Sequence, residues 1–421
     1  MNTESADLLL IKNCRLFDKE CDILCSNGYI REMSQGINAK GATIIDASGL
    51  YAAPGIVDMH VHLRDPGQTY KEDILTGCAA AAAGGVTSIA AMPNTVPVCD
   101  NPEIIEYVKE KSKSTGVHVY PIAAVTKGQN GQELCDFESL KNAGAVAFSD
   151  DGKPVENAGL MLEAMKRAHK AGSIVISHCE DSSLAGGIIN EGEASKKLNV
   201  KGIPNSAEAV QAAREAILSL TSGLPVHIAH VSAAETVEVI REAKKRGAKI
   251  TAETCPHYIC LDESKTLTRD ADFRMNPPLR TKKDVEAVIK GLRDGTIDVI
   301  ATDHAPHTSF EKSDFENAPN GVVGLETSLA VCITYLVKPG ILTLKELFEK
   351  MSVNPAKILG IKAGTLAIGA KADVVLFDPE EKFLVLPIKL HSKSHNTPFK
   401  GMTLYGRVKY TISDGKVIYK A

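Results

Sequence analysis

The sequence predicts an α/β protein, a (β/α)8 TIM-like barrel with a small β-sandwich domain that both chain termini build together. Two observations support this prediction. Eight short apolar segments alternate with helix-forming stretches, and polar residues follow the segments at their carboxyl ends. Apolar strands alternating with helices indicate parallel strands covered by helices, and eight such units match one barrel. An open doubly wound sheet is the alternative, which the count of eight disfavours.

Each predicted barrel strand is a short apolar run. The eight runs are Gly55–His62, Val86–Met92, Val117–Val125, Ala145–Phe148, Ile174–Ser177, Val226–Ala229, Ala248–Cys255 and Ile297–Thr302. Helix-forming composition lies between them, as in Ile104–Lys113, Leu160–Ala171, Ala207–Leu220 and Ala234–Arg246. A later helix is predicted over Leu344–Met351.

Short strands and turns are predicted at both ends of the chain. Leu8–Ile11 and Ile23–Cys25 are apolar, and Val408–Tyr410 and Val417–Tyr419 flank a turn at residues 413–415. Because short strands need partners, the two ends are expected to pair with each other. The predicted division is residues 1–53 and 364–421 for the β domain and residues 54–363 for the barrel.

Composition narrows the function classes. Hydrophobic residues make up 44% and charged residues 24%, and the net charge of −4 gives no polycationic surface for nucleic acid. No secretory signal and no bilayer-spanning apolar run is recognised, so no membrane partner is expected. Ten scattered cysteines without a Cys-x-x-Cys pair indicate reduced, mostly buried thiols in the cytoplasm.

Histidines and aspartates gather where the predicted strands end. His60 and His62 lie two residues apart, so in a strand they point to the same side. A barrel brings the carboxyl ends of its strands into one ring, where its active site is built. The residues expected in that ring are His60, His62, Asn94, Asp151, His178, His230 and Asp303.

Four histidines and two aspartates are more ligands than one tetrahedral zinc ion accepts. They suit two divalent metal ions that share a bridging ligand. Such a pair lowers the pKa of a water molecule and polarises a carbonyl group. The pattern therefore favours hydrolysis of an amide or ester, or the reverse reaction.

Several longer motifs resemble the class I bacterial dihydroorotases of the amidohydrolase superfamily, nearly from end to end. The motifs most specific to this family are His62-Leu63-Arg64-Asp65-Pro66-Gly67 and Thr302-Asp303-His304-Ala305-Pro306-His307. The resemblance extends through the segments at residues 92–95, 148–152, 177–180, 228–232, 253–258 and 276–280.

The resemblance implies an activity: cyclisation of N-carbamoyl-L-aspartate to (S)-dihydroorotate plus water, in pyrimidine biosynthesis. It also implies two divalent metal ions; zinc is expected, and the ligand types would also accept cobalt or manganese. In the family pattern His60 and His62 hold one ion, with Asp303, and His178 and His230 hold the other. Asp151 bridges them. A hydroxide between the metals then attacks the ring carbonyl, and Asp303 carries the proton to the leaving nitrogen.

The implied substrate contacts lie on the same side of the barrel. Arg64 is expected to grip the substrate carboxylate, since its guanidinium offers a fork of N–H donors. The resemblance adds His62, Asn94, Asn276, His307, Gly321 and Val322. A homodimer is the family expectation, and association with aspartate transcarbamoylase is a further partner it suggests.

Three features leave alternatives open. Many amidohydrolases use a carbamylated lysine as the bridge, and Lys153 is the nearby lysine in this chain. The family usually has Pro-Phe-Gly where this chain has Pro319-Asn320-Gly321, which puts the substrate contacts of that loop in doubt. His257 and His304 match family motifs but are expected to support ligands or to pack. The rival functions are a hydantoinase or allantoinase and a non-catalytic scaffold.

Overall fold

The structure is a computed structural model, and it describes residues 7–421. The N-terminal part contributes five strands, β1 Leu8–Leu16, β2 Lys19–Ser26, β3 Tyr29–Ser34, β4 Thr43–Asp46 and β5 Tyr51–Pro54. β1 and β2 pair in antiparallel register from Leu8 opposite Ser26 to Leu16 opposite Lys19, with one irregularity after Ile11. Alternating buried residues of these strands form a small core together with Val374, Leu376 and Ile412 of the C-terminal part.

Eight parallel strands follow and form the barrel. They are β6 Ile56–Val61, β7 Val86–Ala91, β8 His118–Ala123, β9 Ala147–Phe148, β10 Ile176–Ser177, and, after a short parallel pair β11 Ile189–Asn190 and β12 Gly202–Ile203, β13 Val226–Ile228, β14 Ile250–Thr254 and β15 Val299–Ile300. The Phe148 N–H donates to Ile174 O at 3.0 Å, and the His62 N–H donates to His304 O at 2.8 Å. These two bonds join the halves of the sheet, so the predicted barrel is confirmed.

Helices cover the barrel strands. They are α1 Ile74–Ala83, α2 Pro102–Ser112, α3 Phe137–Ala143, α4 Ala158–Lys170, α5 Glu193–Leu198, α6 Asn205–Ser222, α7 Ala234–Lys245, α8 His257–Cys260, α9 Lys282–Asp294 and α10 Ser328–Cys332, which continues as a π-helical segment over Ile333–Val337. Side chains cap several of them: Asp73 accepts from the N–H groups of Leu75 and Thr76 at 3.0 and 2.9 Å. None of the helices in residues 7–421 has the length and apolar character needed to span a membrane.

The helix predicted to end at Met351 is longer in the structure. α11 Leu344–Phe348 continues through a π-helical segment, Glu349–Val353, into α12 Asn354–Leu359. Pro355 lies in the first turn of α12, where a missing N–H costs little. Ala356 and Leu359 pack with Val57 of β6, and Asn354 Nδ2 donates to Asp298 O at 2.8 Å. This helix therefore closes the end of the barrel at which the strands begin.

The C-terminal part returns to the first sheet. β16 Val374–Leu384 pairs with β5, β17 Thr403–Ser413 pairs with β16, and β18 Lys416–Lys420 completes the hairpin. The order β18-β17-β16-β5-β1-β2-β3, with β4 beside β1, joins both chain ends in one sheet. The expected β domain from both termini is confirmed. The division at residues 53/54 and 363/364 stays a prediction. In the structure, the chain leaves the shared sheet after Pro54, the last residue of β5, and returns to it at Val374, the first residue of β16.

Candidate metal centre and active site

The residues predicted from the strand ends come together at the carboxyl end of the barrel. His60 lies within β6, and the others lie one to three residues beyond a strand. All of them except His60 line a cavity of about 230 Å³, whose walls are built by several separate loops. Its lining residues are His62, Arg64, Asn94, Asp151, Gly152, His178, His230, Asn276, Asp303, Ala305, His307, Asn320 and Gly321.

His60, His62 and Asp303 form one compact group. Asp303 Oδ1 lies 3.5 Å from His60 Nε2 and 3.2 Å from His62 Nε2. All three side chains are buried. Their ligand atoms therefore face one point between them, as the predicted first metal ion requires.

Asp151 lies between that group and the remaining histidines. Its Oδ1 is 3.3 Å from His178 Nδ1 and 3.4 Å from His230 Nε2, and the same atom is 3.4 Å from His60 Nε2. Its other oxygen is 3.3 Å from His62 Nε2. Asp151 thus reaches both histidine pairs, which is the position that a bridging carboxylate needs.

These atoms fit divalent metal ions. Ligand atoms held about 2.0–2.1 Å from zinc at tetrahedral angles lie about 3.3 Å apart, close to the observed spacing. Within residues 7–421, His60 Nε2 and His230 Nδ1 are buried without a hydrogen-bond partner, and His60 Nε2 points into the group. A buried nitrogen without a partner is costly unless something binds it.

Carboxylates and an amide orient the histidine rings from outside the cluster. Glu253 on β14 accepts from His60 Nδ1 at 2.5 Å and from His227 Nε2 at 3.2 Å. Asn94 Oδ1 lies 2.7 Å from His62 Nδ1, and Glu180 lies 3.2 Å from His178 Nε2. Each contact fixes which ring nitrogen faces the cluster.

Glu253, Glu180 and His227 were not predicted as site residues. Glu253 and His227 lie inside predicted barrel strands, and Glu180 is the last residue of the family-like segment 177–180. Burial raises the pKa of Glu253, but the neighbouring charge of His60 and hydrogen bonds from both histidines outweigh it and hold that pKa below its ordinary value. A charged residue in the middle of a barrel strand was the available signal.

A second wall of the cavity carries the basic residues. Arg64 is buried, its Nε donates to Pro306 O at 3.3 Å, and its terminal nitrogen lies 3.2 Å from His307 Nε2. Lys71 donates to His307 Nδ1 at 3.2 Å, while His307 Nε2 lies 2.9 Å from Asn320 O. Burial and the charges of Arg64 and Lys71 lower the pKa of His307 to about 2, so this imidazole is neutral.

Asn276 and the loop at residues 319–322 form the rest of that wall. Asn276 Nδ2 donates to Glu180 at 3.1 Å, and its buried Oδ1 has no hydrogen-bond partner in the described part of the chain. Gly321 has φ +149°, and a Cβ there would lie 2.4 Å from Ala305 O, so a side chain is excluded. Val322 is buried next to Gly321 but is not part of the lining, and its carbonyl accepts from the Ala305 N–H at 2.7 Å.

Three of the predicted site residues have left-handed backbone conformations. The φ angles are +58° at Arg64, +34° at His230 and +49° at Asp303. Non-glycine residues rarely adopt such angles, and they concentrate at functional sites. The sequence pattern gave no sign of these conformations.

The remaining histidines and the lysine alternative lie outside the cavity lining. Lys153 is exposed on the loop after Asp151. His304 Nδ1 accepts from the Gly324 N–H at 3.2 Å. His257 is buried, and burial lowers its pKa to about 4.

A barrel with this cluster at the carboxyl ends of its strands defines a hydrolase of the amidohydrolase class. The Amidohydrolase family model matches residues 228–419, and the Dihydro-orotase-like model matches residues 49–236. Among solved structures, L-hydantoinase (dihydropyrimidinase) from Arthrobacter aurescens superposes with a TM-score of 0.88 at 26% identity, covering 99% of this chain and 96% of its own. Dihydropyrimidinase from Brevibacillus agri NCHU1002 gives 0.86 at 26% identity, covering 98% and 95%.

Sequence comparison narrows this class to one family. A dihydroorotase of Acetivibrio thermocellus is 53% identical over 402 residues, which are 95% of this chain and 94% of that relative. A dihydroorotase of Ruminiclostridium cellulolyticum is 49% identical over 421 residues, with 98% of each chain covered. The chain belongs to the dihydroorotase family.

Proposed function

We propose that this protein interconverts N-carbamoyl-L-aspartate and (S)-dihydroorotate plus water. The single observation that supports this best is one cavity that joins the histidine–aspartate cluster to a buried arginine. The cluster suits hydrolysis or formation of an amide, and Arg64 suits the carboxylate that both molecules carry. Relatives named dihydroorotase, about half identical over nearly the whole chain, agree with it.

We further propose that two zinc ions occupy the cluster. His60, His62 and Asp303 would hold one, His178 and His230 would hold the other, and Asp151 would lie between them. When bound, such ions supply an acidified water molecule and polarise the carbonyl group under attack. The spacing of the ligand atoms, 3.2 to 3.5 Å, supports this assignment.

Asp303 is the proposed proton carrier. It is buried, lines the cavity and has a carboxylate oxygen directed at the cluster. During ring opening it would take the proton of the attacking water and give it to the ring nitrogen as the C–N bond breaks. During ring closure it would run the same transfer in reverse.

The substrate would be held by the wall of the cavity that carries the basic residues. Arg64 would bind the carboxylate, with Asn94 and His307 beside it. The Asn276 Oδ1 atom has no partner among residues 7–421 and would accept a hydrogen bond from a ring N–H. Gly321 and Val322 are the remaining proposed substrate contacts, and Gly321 lines the cavity.

The deciding experiment measures turnover and metal on one sample. The purified protein, loaded with zinc, is given carbamoyl aspartate while the absorbance of dihydroorotate is followed. Turnover with about two zinc ions per chain is expected. Two metal ions per chain without turnover would refute this substrate, and hydantoin and allantoin would then be tested. The absence of both metal and turnover would favour the non-catalytic scaffold function.

Two partner assignments belong to the same proposal. A homodimer and an association with aspartate transcarbamoylase follow from the family resemblance. Size-exclusion chromatography with light scattering tests the homodimer on the purified chain alone, and tests the association on a mixture with the aspartate transcarbamoylase of the same organism. A monomer, or a mixture in which the two proteins elute separately, would remove the corresponding assignment.

A further inference from the structure

A segment of the C-terminal part lies against the loops of the active site. Residues 391–397 follow a short helical turn, Pro387–Lys389, and precede β17. We refer to residues 391–397 as the strap. Ser394 Oγ donates to Lys71 O at 2.6 Å, and the Ser392 hydroxyl contacts the buried carboxylate of Glu72. The strap therefore joins the terminal β domain to the loop that follows Arg64.

Asn396 makes the densest contacts of the strap. Its Nδ2 donates to Gly321 O at 2.9 Å and to Ala305 O at 3.3 Å. Its Oδ1 accepts from the His307 N–H at 3.0 Å, and its carbonyl accepts from the Val323 N–H at 3.0 Å. The side chain is buried, and both ends of its amide are engaged.

These contacts join the two loops that form the wall of the cavity proposed to hold the substrate. Ala305 and His307 belong to the loop after β15, whereas Asn320 and Gly321 belong to the loop at residues 319–322, and all four residues line the cavity. Lys312 supports the second loop from another side, since its Nζ donates to Pro319 O at 2.9 Å and to Gly321 O at 3.3 Å. Gly321 O thus receives donors from both Asn396 and Lys312.

The chemistry at this position requires an amide. One end must donate to two carbonyl oxygens, and the other must accept from an N–H group. A carboxylate of the same shape would keep the acceptor but would face two carbonyl oxygens with negative charge. Replacing Asn396 by aspartate therefore changes the contacts with both loops while leaving the volume of the side chain almost unchanged.

We propose that Asn396 is a positioning residue that holds the two substrate loops in register, so that the terminal β domain completes the active site. The proposal builds on the dihydroorotase reaction proposed above. Asn396 is not part of the cavity lining, so it acts through His307 and Gly321. Its loss should weaken substrate binding and leave the metal cluster intact, because none of its contacts reaches a histidine or aspartate of the cluster.

The test compares Asn396→Asp with a matched control, Asn354→Asp. Asn354 also donates its Nδ2 to a carbonyl oxygen, at the opposite end of the barrel. For Asn396→Asp we expect KM for carbamoyl aspartate to rise about tenfold or more, as losses of orienting contacts do. We expect kcat to fall less and zinc content to match the wild type, and we expect the control to keep kcat/KM within about twofold.

A second readout does not depend on turnover. Amide hydrogen exchange at Gly321 and Val323 should quicken in Asn396→Asp and stay unchanged in the control. If Asn396→Asp fails to fold, Asn396→Ser takes its place in both measurements. Wild-type KM together with wild-type exchange would overturn the inference. Lack of wild-type turnover, with exchange still quickened by the substitution, would refute the dihydroorotase proposal and retain the positioning role.

Discussion

Glu253 accepts a hydrogen bond from the Nδ1 atom of His60 at 2.5 Å, although the two residues lie 193 positions apart in the chain. Both side chains are fully buried, one on β14 and the other on β6. A carboxylate can only accept here, so Nδ1 carries a proton, and Nε2 is left as the atom that would bind a metal ion. His227 holds the other oxygen of Glu253 at 3.2 Å. The ring of His60 is thus fixed before any ligand arrives.

Substituting Glu253 by glutamine tests this relationship. The glutamine amide no longer fixes the ring as a carboxylate does, so we expect affinity for zinc to fall about 10- to 100-fold. Competition with a chelator of known affinity measures it. Glu263→Gln is the control, because Glu263 is also buried and accepts from Asn190 Nδ2 at 2.7 Å, and it lies outside the cavity lining. Equal zinc affinity in the two variants would contradict the orienting role.

Asp303→Asn tests the proton carrier. The amide can still offer an oxygen to a metal, but it cannot accept a proton, so turnover should fall by about 10²-fold or more. Some metal should remain, because five of the six proposed ligands are unchanged. Steady-state rates and metal analysis on the same preparation give both quantities. Near-normal turnover would eliminate Asp303 as the acid–base group.

The alternation of apolar segments and helices, with polar residues at the carboxyl ends of the segments, was sufficient to predict the barrel and to select the six ligand candidates. The residue type and the position after each apolar run were both visible, as for His178 and His230. Asn396 was missed because its partners lie far away in the chain and nothing near it in sequence indicates a site. Glu253 was missed although a charged residue within a predicted barrel strand was visible, because its partner His60 lies on a distant strand. The extension of the helix beyond Met351 was missed because a proline was ahead, and a π-helical segment accommodates it.

Substrate recognition by Arg64 predicts unequal effects of two substitutions. Arg64→Met removes the charge and the donors, and we expect KM for carbamoyl aspartate to rise about 100-fold. Arg64→Lys keeps the charge but not the planar fork, so its KM should lie between the methionine variant and the wild type. Dihydrouracil, which lacks the carboxylate, is the control ligand, and its weak binding should not change. A similar loss for both ligands would show that Arg64 supports the loop and not the carboxylate.

Lys312 predicts how stability depends on pH. Burial lowers the pKa of this lysine from 10.5 to about 7, while its ammonium donates to the carbonyl oxygens of Arg274, Pro319 and Gly321. Because the folded-state pKa lies below the unfolded one, the unfolded chain binds more protons between pH 7 and 10.5. The contribution of Lys312 to stability therefore rises with pH in that window, by at most about 1.4 kcal/mol per pH unit.

Lys312→Met removes this titration and takes one donor from each of three carbonyl oxygens, although Gly321 O keeps the amide of Asn396. Melting temperatures of wild type and variant are compared from pH 6 to pH 9.5 at constant ionic strength and saturating zinc. The difference should be constant below pH 7 and should shift in favour of the wild type above it. Lys338→Met, which removes the ion pair between Lys338 and the exposed Glu380, is measured alongside as the control for the loss of a lysine. A flat difference for Lys312→Met would mean that this lysine stays charged in the folded protein throughout the range, held by its three carbonyl partners.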